Sequence, residues 1–326
     1  MACEQLQDST NMEILKRSYT GVFIALVVLT CLFEVMSGRF FTFANITTVL
    51  RSLSYVGIIS IGMGLCLISG VIDLSAGATA AFASVLFSKA LVVWEASLPV
   101  ALLLALLSGA GVGLFNSFII LKLKITPFIG TISTMFIMRG LALAWTKGFI
   151  VYPLPGDLKD IGIMKPLGVS VGFIVLLVVA LLAWYVLEFT VFGLEIKATG
   201  SDYEVAKVTE VRYIMVHVVL LMTLGVLSAL AGVLLSFVLN GGHPNVGMGW
   251  EFAAITACAI GGVSLMGYEG SIPGILFGLL FVYALQSGIV VVGVSVFLQN
   301  VVVGLTLLVA ITMDVRRRSY LNLEKL

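Results

Sequence analysis

Residues 58–83 read IISIGMGLCLISGVIDLSAGATAAFA. The run is apolar almost throughout, yet one carboxylate, Asp73, stands near its middle. Gly62, Gly64, Gly70 and Gly77 interrupt it, and Ser69 and Ser75 flank the acid. A charge at the centre of a bilayer costs at least about 2.5–3.5 kcal/mol. Either a membrane-buried chain breaks and turns here, or Asp73 lines a wet path between helices. Glycine permits both, because it bends the backbone and lets helices approach closely. A plainer reading is a short turn at the membrane surface, with Asp73 capping the next helix.

The rest of the chain has the same character. Of its 326 residues 60% are hydrophobic and only 11% are charged, with a mean hydropathy of +1.16. A soluble domain carries roughly 25% charged residues, so this chain cannot cover a water-facing surface. Its composition is that of an all-α polytopic membrane protein. The net charge of +1, with no basic stripe, argues against a nucleic-acid partner. Cys3, Cys31, Cys66 and Cys258 are isolated, and His217 and His243 lie far apart, so no metal or disulfide set is expected. The N-terminus, MACEQLQDSTNMEILKR, is polar and no small-residue cleavage site follows 19–36, so the first span reads as a retained anchor.

A spanning helix needs about 20 apolar residues. That rule gives about ten spans: 19–36, 52–72, 74–94, 98–121, 125–145, 169–187, 213–239, 252–266, 272–292 and 294–313. The transmembrane domain is then 19–313, between cytoplasmic tails 1–18 and 314–326. Basic residues favour the cytoplasmic side. Ten spans put Lys16/Arg17, Lys122/Lys124, Lys197/Lys207/Arg212 and Arg316 to Arg318 together on one side, with both termini cytoplasmic. Lys147, Lys159 and Lys165 fall on the other side, two of them accompanied by Asp157 and Asp160. A second glycine-broken run, residues 254–281, echoes the first, with Glu269 in the place of Asp73. Paired interrupted helices often frame the path of a transporter, and by this span count the two units run in the same direction.

The longest charged inner segment is 189–212. Within it GLEIKATGSDYEVAKVTEVR is amphiphilic, with expected breaks at Gly193 and Gly200 and a Ser201/Asp202 N-cap for a short helix from Tyr203 onward. Such a helix suits docking into a soluble partner; a solvated connector is the alternative. Asn116 follows Gly109 and Gly113, a spacing for tight helix packing, so it either bonds a neighbouring helix or faces a path. Arg139 either snorkels to the outer surface or faces the path. Phe128, Trp145, Trp184 and Trp250 read as core or interface anchors, and His243 as a loop residue at the outer mouth.

Four stretches, in order, resemble the membrane subunits of bacterial sugar ABC importers, the ribose, xylose, arabinose and galactoside permeases. They are SGVIDLSAG (69–77), GVGLFNSFIILKLKITPFIGTISTMFIMRG (111–140), ATGSDYEVAKVTEV (198–211) and GGVSLMGYEGSIPG (261–274). The resemblance covers roughly residues 40–314. It implies a permease half that is not itself an enzyme and binds no cofactor of its own. Its implied partners are ATP-binding subunits carrying ATP and Mg, a periplasmic or lipid-anchored sugar-binding protein, a second permease subunit and the lipid of the bacterial plasma (inner) membrane. It also implies that Gly200, Ser201, Asp202, Glu204, Ala206 and Lys207 form the ATPase coupling loop. The path candidates are Asp73, Ser69, Asn116, Phe128 and Thr131. The chain contains no GxxxxGK[ST] phosphate loop, so energy comes from another chain or an ion gradient. The alternative is a stand-alone, gradient-driven carrier or channel for a small polar solute. Tyr268, Glu269, Lys207, Val208, Glu210, Val211 and Ser117 depart from the family pattern, which points to a dedicated ATPase partner.

Overall fold

The computed structural model describes residues 2–201 and 213–323, and the described residues form a helical bundle. Among the described residues twelve α-helices follow one another: α1 (Ala2–Ser37), α2 (Phe43–Ile68), α3 (Ala76–Val92), α4 (Leu98–Ser117), α5 (Pro127–Thr146), α6 (Leu158–Ile163), α7 (Val171–Phe189), α8 (Val191–Ser201), α9 (Tyr213–Leu239), α10 (Trp250–Ile260), α11 (Ile272–Val291) and α12 (Gln299–Leu323). A π-helical turn, Phe118–Lys122, extends α4. Seven of these helices are long and apolar enough to cross a membrane, and three shorter stretches, Ala76–Val92, Trp250–Ile260 and Val301–Thr312, are apolar too.

The helix starts follow local chemistry. Pro99, Pro127 and Pro273 sit in the first turns of α4, α5 and α11, where a missing N–H leaves no bond unmade. Ser170 and Ser271 cap α7 and α11, each Oγ accepting from a first-turn N–H. Leu103 and Leu107 on α4, Leu181 and Leu182 on α7, and Leu305 and Leu308 on α12 face outward. Such a belt is stable only against lipid.

The centre of the bundle is α2. From Leu53 to Ile68 every residue is buried, as expected of a helix apolar on all sides. Against it lie α7, α9, α10 and α11. The most extensive helix–helix contact is between α4 and α9. A Cβ on Gly109 would strike the Gly225 carbonyl, and one on Gly113 would strike the Leu221 carbonyl. The glycine spacing read from the sequence therefore serves packing.

Three expectations are corrected. Spans 52–72 and 74–94 are not divided at one residue, because α2 stops at Ile68 and α3 starts at Ala76. The reason is a helix-ending turn: Gly70 takes φ +84°, its N–H bonds Leu67 O, and Val71 N–H bonds Cys66 O. The short eighth span, placed at 252–266, is the half-length helix α10. Gly193 and Gly200 do not break the chain but lie inside α8. Both are glycine because carbonyls crowd them, those of Val186 and Leu187 at Gly193 and that of Ile68 at Gly200.

The echo between the two broken runs has a backbone counterpart. Gly262 takes φ +83°, its N–H bonds Ala259 O, and Val263 N–H bonds Cys258 O. Residues 66–71 (CLISGV) and 258–263 (CAIGGV) thus end their helices in the same way. Asp73 and Glu269 each stand two residues before the serine that precedes the next helix, Ser75 and Ser271.

Candidate functional site

Two helices begin in the middle of the bundle. Trp250, the first residue of α10, stacks on Tyr55, halfway along α2, with ring centroids 6.2 Å apart. In the first turn of α3, Gly77 packs on the Gly247 carbonyl and the Glu251 carboxylate. The N-termini of α3 and α10 therefore meet side by side. Helix N-termini carry unpaired N–H groups and a partial positive charge. Each here is accompanied by an acid, Asp73 before α3 and Glu251 in α10.

Asp73 is held from three directions. Its Oδ1 accepts from the Ser75 N–H (2.8 Å) and the Ser75 hydroxyl (2.6 Å). Its Oδ2 accepts from Asn116 Nδ2 on α4 (2.9 Å). The same Asn116 nitrogen donates to Ser75 Oγ (2.9 Å). From α5, Thr131 Oγ1 accepts the Leu74 N–H (3.1 Å) while donating to Pro127 O (2.8 Å). Asp73 is 2% exposed, and Asn116 and Thr131 are wholly buried. A buried carboxylate is tolerable only with such donors. The turn at Asp73 thus lies inside the bundle, and Asp73 takes up the N–H of Ser75, the residue before α3.

Of the five path candidates, Asp73, Asn116 and Thr131 come together. Ser69 is buried, but its hydroxyl donates back to Cys66 O (2.8 Å). Phe128 is not brought to the cluster. It sits one turn before Thr131 on α5 but is 57% exposed. Of the residues expected to form a coupling loop, Gly200 is in α8 and Ser201 ends it; Asp202, Glu204, Ala206, Lys207 and the helix expected from Tyr203 lie outside the described residues.

The sequence reading passed over Glu251. It is 4% exposed, and its Oε2 has no hydrogen-bond partner among the described residues. Its signal was present: Gly247 and Gly249, both at positive φ, stand just before it at the head of an apolar run. Placing the span at Phe252 left it outside. Arg139 has a role between the two considered. Its Nη1 donates to Pro244 O (2.9 Å) and Val246 O (2.6 Å), bracing the 240–249 loop as it folds back into the bundle. Among the described residues no three His, Cys, Asp or Glu side chains gather into a metal-binding group.

A family profile described as "Branched-chain amino acid transport system / permease component" matches residues 45–311. The chain belongs to this permease family. The ribose import permease protein RbsC of Bacillus subtilis (strain 168) is 33% identical to this permease over 304 residues, 92% of this chain and 93% of that protein. RbsC of Escherichia coli (strain K12) is 31% identical, covering 90% and 93%. The autoinducer 2 import system permease protein LsrC of Salmonella paratyphi B (strain ATCC BAA-1250 / SPB7) is 32% identical, covering 91% and 87%. No solved structure matches the permease. Its relatives are named as import permeases, and its apolar helices suit a bacterial plasma membrane.

Proposed function

We propose that this permease is the transmembrane subunit of an ATP-driven, binding-protein-dependent importer for a monosaccharide of the pentose or hexose class. The carrying observation is similarity over nine-tenths of both chains to a ribose permease, joined to a buried polar cluster at the meeting point of two interrupted helices. Interrupted helices near the bilayer midplane are where transporters hold solutes. Here Asp73, Asn116, Thr131 and Glu251 offer the carboxylate and amide groups that sugar hydroxyls need.

The ten apolar helices are read as ten crossings with both termini cytoplasmic. The α8 region and residues 202–212 then face the ATP-binding subunits, which hold ATP and Mg, and the 240–249 side faces the binding protein. The assembly has two permease subunits in the inner membrane. ATP closes the ATPase pair, the loop moves, and α3 separates from α4 to open the cluster outward.

Reconstituted alone in lipid vesicles, the permease is expected to accumulate none of ribose, xylose, arabinose or galactose. Accumulation against a gradient without an ATPase would replace this reading by the stand-alone carrier. Asp202→Trp or Ala206→Trp in the full assembly should abolish uptake while expression holds, measured by radiolabelled sugar entry and immunoblot. Unchanged uptake would remove residues 202–212 from the coupling contact.

A further inference from the structure

We propose that His217 and Gly200 are coupling residues, because the two flanks of the 202–212 segment grip the same end of α2. The proposal rests on the importer reading above and names the element that receives the ATPase stroke.

The last turn of a helix leaves four carbonyls without intrahelical partners. In α2 they are those of Leu65, Cys66, Leu67 and Ile68. The turn itself answers three, through the N–H groups of Ser69, Val71 and Gly70. The fourth, Ile68 O, accepts the Tyr268 N–H from the second broken run at 2.8 Å. Onto that bond packs Gly200, near the end of α8. A Cβ there would meet Ile68 O and Tyr268 N at once, and Gly267 presses on the Gly200 backbone from the other side. One residue on, Ser69 O faces His217 Nε2 at 3.2 Å. A carbonyl cannot donate, so Nε2 carries the proton. His217 lies just past the other flank of the segment, in the second turn of α9, and its Nδ1 is buried with no partner among the described residues.

Two successive peptides at the end of α2 are therefore held, Ile68–Ser69 against α8 and Ser69–Gly70 by His217 of α9. The second break is bonded to the first of them as well. Asp73 follows Ile68 by five residues of non-helical chain. Close-packed interiors pass displacement on and do not absorb it. A stroke that shifts α8 against α9 must move these two peptides, and the Asp73–Asn116 bond lies next along the chain. Gly200 is a contact without a side chain, and His217 is a positioning residue that acts through the Ser69 carbonyl.

The test begins with the wild-type assembly, purified through a tag on this permease from the cell that makes it and placed in liposomes with its binding protein. Sugar moved per ATP hydrolysed is measured with ribose, xylose, arabinose and galactose as probes. His217→Leu should keep the ATPase bound and hydrolysing at its basal rate while sugar moved per ATP falls about tenfold, the scale of one lost buried hydrogen bond. His217→Gln, which keeps a donor, should recover most of that loss, as a purely space-filling role would not allow. Gly200→Ala should uncouple in the same sense. An undiminished ratio in His217→Leu overturns the proposal. If that variant does not assemble, amide exchange on the wild type decides. Protection of the Tyr268 N–H must change when a non-hydrolysable ATP analogue is bound, and constancy overturns the proposal. Failure of any ATPase to copurify with the wild type would remove the importer reading and this assignment with it, and is seen before any variant is made.

Discussion

Asn116→Leu is expected to destabilise the permease by about 3 kcal/mol, at the upper end of the range for a buried group that loses its hydrogen-bond partner, because the group here is a carboxylate. Leucine matches the shape of asparagine, so the space is filled and only the donation is lost. Asp73 then keeps Ser75 alone, and Ser75 Oγ loses the Asn116 donor from which it accepts. The check is thermal unfolding of the detergent-purified permease followed by loss of monodispersity. Asp73→Asn separates structure from transport. It removes the charge, its one oxygen takes the Ser75 donors, and its new N–H faces Asn116, whose amide must turn over to accept it, so the unfolding temperature should fall less than in Asn116→Leu while uptake drops at least about tenfold, the effect of about 1.4 kcal/mol. Full uptake in that variant would make the cluster a clasp and not a path.

Gly113→Leu is the second large effect. Its side chain would have to enter the space held by the Leu221 carbonyl and the Met222 backbone, and neither can swing away as a side-chain tip can. Over-packing of this kind costs about 1–3 kcal/mol and occasionally more; with backbone on both sides the upper part of the range applies. Helices α4 and α9 would be forced apart, carrying Asn116 away from Asp73 one turn later. Gly111→Leu is the matched control. A Cβ there meets nothing within 4 Å, and the added methyls face lipid. Its uptake should stay within about twofold of wild type, well under the 1.4 kcal/mol of a tenfold change. Equal loss in both variants would show that added bulk anywhere on α4 is harmful and that the α9 crossing is not special.

These two variants also mark where the sequence was legible. Gly109, Gly113 and Asn116 could be placed on one helix face by spacing alone, because the helical repeat fixes which residues are neighbours. Spacing could not say which of the other helices that face meets, so Asn116 stood open between packing and path. The structure pairs it with Asp73, 43 residues away. Phe128 and Thr131 were equally plausible in sequence. Packing turned Thr131 inward and Phe128 outward, and no local property distinguishes those outcomes.

The amino-acid sequence by itself determined that the chain is a set of apolar helices for a bilayer, that glycines and one carboxylate interrupt its long run around Asp73, and that a second glycine-broken run, 254–281, echoes it. Those are local matters of hydropathy, glycine and buried charge, each paid within a few residues of where it arises. Only the tertiary structure decided that α3 and α10 begin beside one another, that Glu251 joins the buried acids, and that Arg139 holds a loop folded into the bundle. It alone brought Gly200, His217 and Tyr268 to the C-terminal end of α2. Such meetings depend on how helices far apart in the chain share a common core, and a helix's own residues specify its apolar face without naming the partner that will cover it.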